Sequence, residues 1–96
     1  MANKLFDKNY ALAVSKTFTE RMQKQHKSIE NVANAVGVKY HTLFRYLDGS
    51  RQMPIDLFQK LCVYLDLDFA KTFQLVNQIA TDTTVNEYQT KYMREE

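Results

Sequence analysis

The chain is expected to fold as an all-α domain, and three features of its sequence predict this. Two glycines and one proline in 96 residues leave few positions that break a helix. No stretch sustains the period-2 alternation of β-branched residues that a strand needs. Apolar residues recur instead at spacings of three and four, the repeat that lines one face of a helix.

The first helix is expected from about Lys8 to Lys24, with Tyr10, Ala11, Val14, Phe18 and Met22 apolar. Val14, Phe18 and Met22 stand four apart on one face, and the polar run Gln23-Lys24-Gln25-His26-Lys27 ends the helix. Ser28 is placed to cap a second helix by accepting from an unpaired amide. Ile29, Val32, Ala33 and Val36 form the buried stripe of that helix, and Gly37 supplies the left-handed residue that closes it. A third helix follows from about Tyr40 to Leu47, stopped by Asp48-Gly49. The small Ala33 four residues before Gly37 lets two short helices approach at a steep angle, and the glycine permits the turn between them.

Pro54 suits the first turn of a fourth helix, because its fixed φ matches that turn. Leu57, Phe58, Leu61, Val63 and Leu65 are its expected apolar surface, with Cys62 a small, inert residue on the same inner side. A fifth helix starts near Asp68 as cap, with Phe69, Phe73, Val76, Ile79 and Ala80 at helical spacing. Thr84-Val85-Asn86-Glu87 has the form of a capping box and predicts a sixth helix, with Val85, Tyr88, Tyr92 and Met93 available for packing.

A chain of 96 residues makes one small domain, large enough for a single core. Its one cysteine excludes an internal disulfide framework and fits a reducing cytosol. No apolar run reaches the roughly 18 residues of a membrane span, and no signal-peptide pattern opens the chain. The expectation is a soluble, cytoplasmic protein without a membrane partner. The net charge of +2 is unevenly placed. Residues 1–52 carry nine Lys or Arg against four acids, a net of +5, and residues 53–96 carry four against seven, a net of −3. A basic half beside an acidic one suits a polyanion-binding face with a solvated back.

On a helical wheel at roughly 100° per residue, Tyr40, His41, Phe44, Arg45 and Asp48 fall within an arc of roughly 140°, with Thr42 at its edge. Leu43, Tyr46 and Leu47 fall on the other side and hold the helix against the second one. An outward face with two aromatics suits the reading of base edges: Arg45 can pair with guanine, and an apolar group such as Phe44 can meet a thymine methyl. Tyr40 and His41 can donate to bases or phosphates. Lys27, Lys39 and Arg51 stand at helix ends where phosphates would pass, and Ser28 with the amide end of the second helix makes a further phosphate seat. In the alternative reading, Tyr40 and Phe44 pack beneath the first or last helix. Catalysis finds no support. His26 and His41 are too far apart for a helical metal pair, Ser28 has no activating partner, and no glycine-rich phosphate loop is present. No catalytic residue, metal or cofactor is expected.

The stretch from about Phe18 to Leu67 resembles the Cro/C1-type (Xre-like) helix-turn-helix family of phage repressors and bacterial regulators. The residues that carry the resemblance are Arg21, Val32-Ala33, Val36-Gly37-Val38, Leu43, Tyr46, Asp48-Gly49-Ser50-Arg51, Pro54 and the run Leu61 to Leu67. The family often has glutamine where Ser28-Ile29 stands and an acid where Leu47 stands. The resemblance implies a lambda-repressor-like helix-turn-helix bundle of four to five helices with a C-terminal helical extension. Residues 1–67 are read as the DNA-binding domain and 68–96 as the extension, a possible dimerisation element because Phe69, Phe73, Val76, Tyr88 and Tyr92 offer more apolar surface than a four-helix core needs. The resemblance implies DNA contacts at Ser28, Lys39, Tyr40, His41, Phe44 and Arg45, with Arg51 on the backbone; Thr42 joins this candidate set from its place at the edge of the outward face.

The function expected from the sequence is a DNA-binding transcriptional regulator, specific for a double-stranded operator and acting as a repressor. It would insert the helix at about 40–47 into the major groove and bind as a homodimer in a bacterial or phage-infected cell. The alternative is an antitoxin-like module whose C-terminal tail binds a partner protein.

Overall fold

A computed structural model describes residues 8–93, and side chains as far as residue 82. Five helices follow one another: α1 (Lys8–Lys24), α2 (Ile29–Val36), α3 (Tyr40–Leu47), α4 (Ile55–Tyr64) and α5 (Phe69–Met93). There is no strand among the described residues.

Local chemistry sets most of the boundaries. The polar run after α1 closes through two backbone bonds, Lys27 N–H to the Met22 carbonyl at 2.9 Å and His26 N–H to Gln23 at 3.1 Å. This pairing is the Schellman closure and needs one left-handed residue, which is His26 at φ 56°. Ser28 caps α2, its hydroxyl oxygen accepting from Asn31 N–H at 3.1 Å. Gly37 ends α2 at φ 78°, donating to Ala33 at 2.9 Å. Lys39 precedes α3 in an extended conformation, with no side-chain cap. The Ser15 hydroxyl of α1 donates to the Leu47 carbonyl, tying the end of α3 to α1.

Three expectations are corrected. Pro54 is the cap residue before α4 and not part of its first turn; its ψ of 149° is extended, and a cap position also leaves the missing N–H without consequence. Val63 is not part of the inner surface of α4, since it is 82% exposed. It stands roughly 200° around the helix from Leu61, whereas Leu57, Phe58, Leu61, Cys62 and Leu65 are buried. The sixth helix does not exist separately, because α5 continues from Phe69 to Met93 as one element of 25 residues. Once a helix has formed, continuing it adds a hydrogen bond per residue, which outweighs the weak preference of Thr84 for a cap. The packing expected of Val85, Tyr88, Tyr92 and Met93 lies outside the described side chains. Asp68 does cap α5, its Oδ1 accepting from Lys71 N–H at 2.9 Å.

A single hydrophobic core joins all five helices. Phe58 is fully buried at its centre and meets three rings edge-on: Phe18 at 5.0 Å, Phe69 at 5.6 Å and Phe73 at 5.7 Å. Tyr10 closes the cluster from α1, 6.4 Å from Phe73. Val76 and Ala80 are buried in the same core, so the core does not stop at the expected boundary near residue 67. Cys62 is 1% exposed; burial pushes its thiol above the ordinary range, so it stays protonated at neutral pH, with the Thr72 hydroxyl as its neighbour. Arg21 locks α1 to the end of α4, donating to the carbonyls of Leu65 and Asp66, each at 3.2 Å. Gln25 adds a bond to Leu65 at 2.8 Å. These three donors serve carbonyls that a helix end leaves unpaired.

Gly49 is the more crowded of the two glycines. Its φ is +83°, and a Cβ there would stand 2.6 Å from Leu12 Cδ2. Gly49→Ala is expected to destabilise by about 1–2 kcal/mol, through left-handed strain and displacement of Leu12. Leu12 is 43% exposed and can yield. In a double-mutant cycle read by urea denaturation, Leu12→Ala should therefore recover part of the loss. Strict additivity would show that strain at Gly49 acts alone.

Candidate nucleic-acid interface

The candidate interface is the α2–turn–α3 unit. α3 spans eight residues, about 12 Å at 1.5 Å per residue. One side of it is sunk into the core through Leu43, 0% exposed, and Leu47, 3% exposed, with Tyr46 half-buried beside them. The rest of its surface presents Tyr40, His41, Thr42, Phe44 and Arg45, all exposed, with Tyr40 and Phe44 flanking the buried edge. Lys39 at the start of α3, Ser28 at the start of α2, and Arg51 beyond α3 are exposed as well. The eight residues expected from the sequence thus all stand at the surface of this unit or at its ends.

The two aromatics are not packed beneath another helix, contrary to the alternative reading. Tyr40 is 46% exposed and Phe44 42%. Their rings are nearly parallel, 9° apart in plane with centroids at 6.2 Å, and the His41 ring stands edge-on to Tyr40 at 5.6 Å. The i, i+4 spacing brings them together on one face. Both rings belong to the expected contact set; their nearly parallel arrangement is the detail that the structure adds.

The end of α3 is held by a local network. Asp48 Oδ1 accepts from Ser50 N–H at 2.8 Å. Ser50 N–H and Arg51 N–H both also reach the Arg45 carbonyl at 3.2 Å, and the Ser50 hydroxyl lies 3.1 Å from that carbonyl. The Asp48 carboxyl is held below the ordinary aspartate range, first by the Ser50 hydroxyl, then by the Ser50 amide, with a smaller contribution from the Arg45 charge. A depressed folded-state pKa gives stability that is present above the unfolded pKa and lost as pH falls through the folded one. A carbon-detected NMR titration should show Asp48 ionising below the ordinary aspartate value, and Ser50→Ala should move it upward. A titration unchanged by Ser50→Ala would assign the depression to the backbone bond and Arg45 alone.

The remaining expected positions differ in freedom. The Ser28 hydroxyl accepts from Asn31 N–H, which leaves its own proton to donate outward. Lys27 is half-buried, and its ammonium lies 4.1 Å from the centre of the Tyr64 ring on α4. It therefore acts first as a link between the α1–α2 turn and α4.

A second surface feature lies elsewhere. An open concavity of about 680 Å³ is lined by Asn34, Ala35, Gln59, Lys60, Val63 and their neighbours on α2 and α4. None of the eight expected residues lines it. Among the described residues no three His, Cys, Asp or Glu side chains converge as a metal site, and no helix is long and apolar enough to cross a membrane.

Comparison of the chain with protein-family models, curated proteins and solved structures finds no match.

Proposed function

We propose that this protein is a sequence-specific, double-stranded-DNA-binding transcriptional regulator, a repressor, with α2 and α3 forming a lambda-repressor-like helix-turn-helix. The observation that carries this reading is the outward face of α3. A helix anchored by buried Leu43 and Leu47 presents two exposed aromatics, a histidine, a threonine and an arginine together. A helix of roughly 10–12 Å diameter fits a major groove about 12 Å wide. In this reading Arg45 pairs with a base edge, and Tyr40, His41, Thr42 and Phe44 contact bases beside it. Ser28, Lys39 and Arg51 hold phosphates. The net +5 of residues 1–52 supplies the sequence-independent attraction.

The protein is proposed to act as a homodimer on two half-sites about one helical turn apart, roughly 34 Å. Phe69, Phe73 and Val76 pack in the core of their own chain. They therefore do not form the dimer surface expected of them; among the described residues of α5, Leu75, 48% exposed, is left for it.

The test is selection of bound duplexes from a random pool at a stated salt concentration, since phosphate contacts make affinity salt-dependent. Enrichment of a palindrome with half-sites one turn apart supports a dimeric operator binder. A folded protein that enriches no duplex sequence overturns the reading.

A further inference from the structure

We propose that the α3 face selects thymine, through its 5-methyl group, at two positions of each half-site, using Tyr40 and Phe44. This inference rests on the reading that α3 enters a major groove. The exposed surface of a DNA-reading helix is ordinarily polar, because base edges are read by donors and acceptors. Here two rings stand exposed on it, held nearly parallel one helical turn apart. The one apolar group that a base pair presents in the major groove is the thymine methyl.

The alternatives at those positions are disfavoured by what they lack. Cytosine carries only a hydrogen where thymine carries its 5-methyl group, so a ring seated there loses that apolar contact. The spacing also matches: ring centroids 6.2 Å apart compare with about 6.8 Å for two base steps at roughly 3.4 Å each. Tyr40 and Phe44 thus address methyls about two steps apart when α3 lies along the groove. Arg45, one residue further on, is placed to take an adjacent guanine by its O6 and N7 acceptors.

The experiment starts from a duplex enriched by selection. Each thymine of a half-site is replaced singly by uracil, which differs only by the methyl, and affinity is read by fluorescence anisotropy. Two positions are expected to lose about fourfold each, the effect of one buried methyl, and the others little. Phe44→Ala should bind the thymine and uracil duplexes alike at one of these positions, and Tyr40→Ala at the other. Both side chains are exposed, so an unchanged urea midpoint is expected to show that the fold is retained. Equal binding of uracil and thymine at every position, by a protein that still selects a duplex, overturns thymine reading and leaves the DNA-binding reading standing. Failure to select any duplex overturns both. So does tighter binding to single strands of the same sequence, because exposed rings would then act as stacking platforms for unpaired bases.

Discussion

Phe58→Ala is expected to remove about 3–5 kcal/mol of stability, the range for deleting a buried aromatic side chain. Phe58 is 0% exposed and holds α4 to α1 and α5 through three edge-on ring contacts. Such contacts add about 0.5–1.5 kcal/mol to the area term, and the fixed rings around the site leave little freedom to collapse into the void. For a 96-residue chain, total stability at 0.05–0.15 kcal/mol per residue is roughly 5–14 kcal/mol. The substitution therefore brings the domain near its unfolding threshold. Val63→Ala on the same helix is the control: Val63 is 82% exposed, and a change there should stay within about 0.5 kcal/mol. Urea denaturation, with a shifted midpoint and an unchanged slope for Phe58→Ala, checks both. Equal effects at the two positions would mean that the aromatic cluster does not hold the helices together. The cluster bears indirectly on the α3 face, since α1, which supplies Phe18, also packs against α3.

The middle of the chain was the most legible because its boundaries are written in single residues. Ser28 caps, Gly37 turns and Gly49 stops, and each acts through its own backbone or its first side-chain atoms. The exposed face of α3 followed from the wheel for the same reason: eight residues with two buried leucines leave little ambiguity of rotation. What was not legible depends on bonds and contacts made with other residues, some near and some distant in sequence. Nothing local marks His26 and Asp66 as left-handed residues at φ 56° and 58°. Those conformations come from the Schellman closures at the ends of α1 and α4, and the second is reinforced by Arg21 from α1. The role of Phe69 and Phe73 was also hidden. Periodicity shows that a helix has an apolar side, but not whether its own chain or a second copy covers it. The packing against Phe58 and Tyr10 settles that side for the first half of α5. The continuation of α5 through Thr84 shows how a local cap signal is overridden by the helix already in place.

The second large effect is expected at Arg45, and it separates reading from holding. Arg45→Ala should weaken binding to the selected duplex by about 1–3 kcal/mol while leaving binding to random DNA nearly unchanged. Arg45→Lys should recover little of the loss, because a lysine keeps the charge but not the planar fork that meets two acceptors at once. Lys39→Ala, by contrast, should weaken both duplexes alike and lower the salt dependence of log K by about 0.9 for the one phosphate released. The structural basis for the contrast is position. Arg45 stands in the last turn of α3, its backbone carbonyl fixed by the amides of Ser50 and Arg51, so its side chain starts from a fixed point on the outward face. Lys39 precedes the helix without a side-chain cap bond, where a long cation can follow a phosphate but not fix a base pair. The two variants measured side by side at several salt concentrations check the assignment. Equal losses on selected and random duplexes for Arg45→Ala would place that arginine on the backbone. Sequence reading would then fall to the aromatic pair and its neighbours alone.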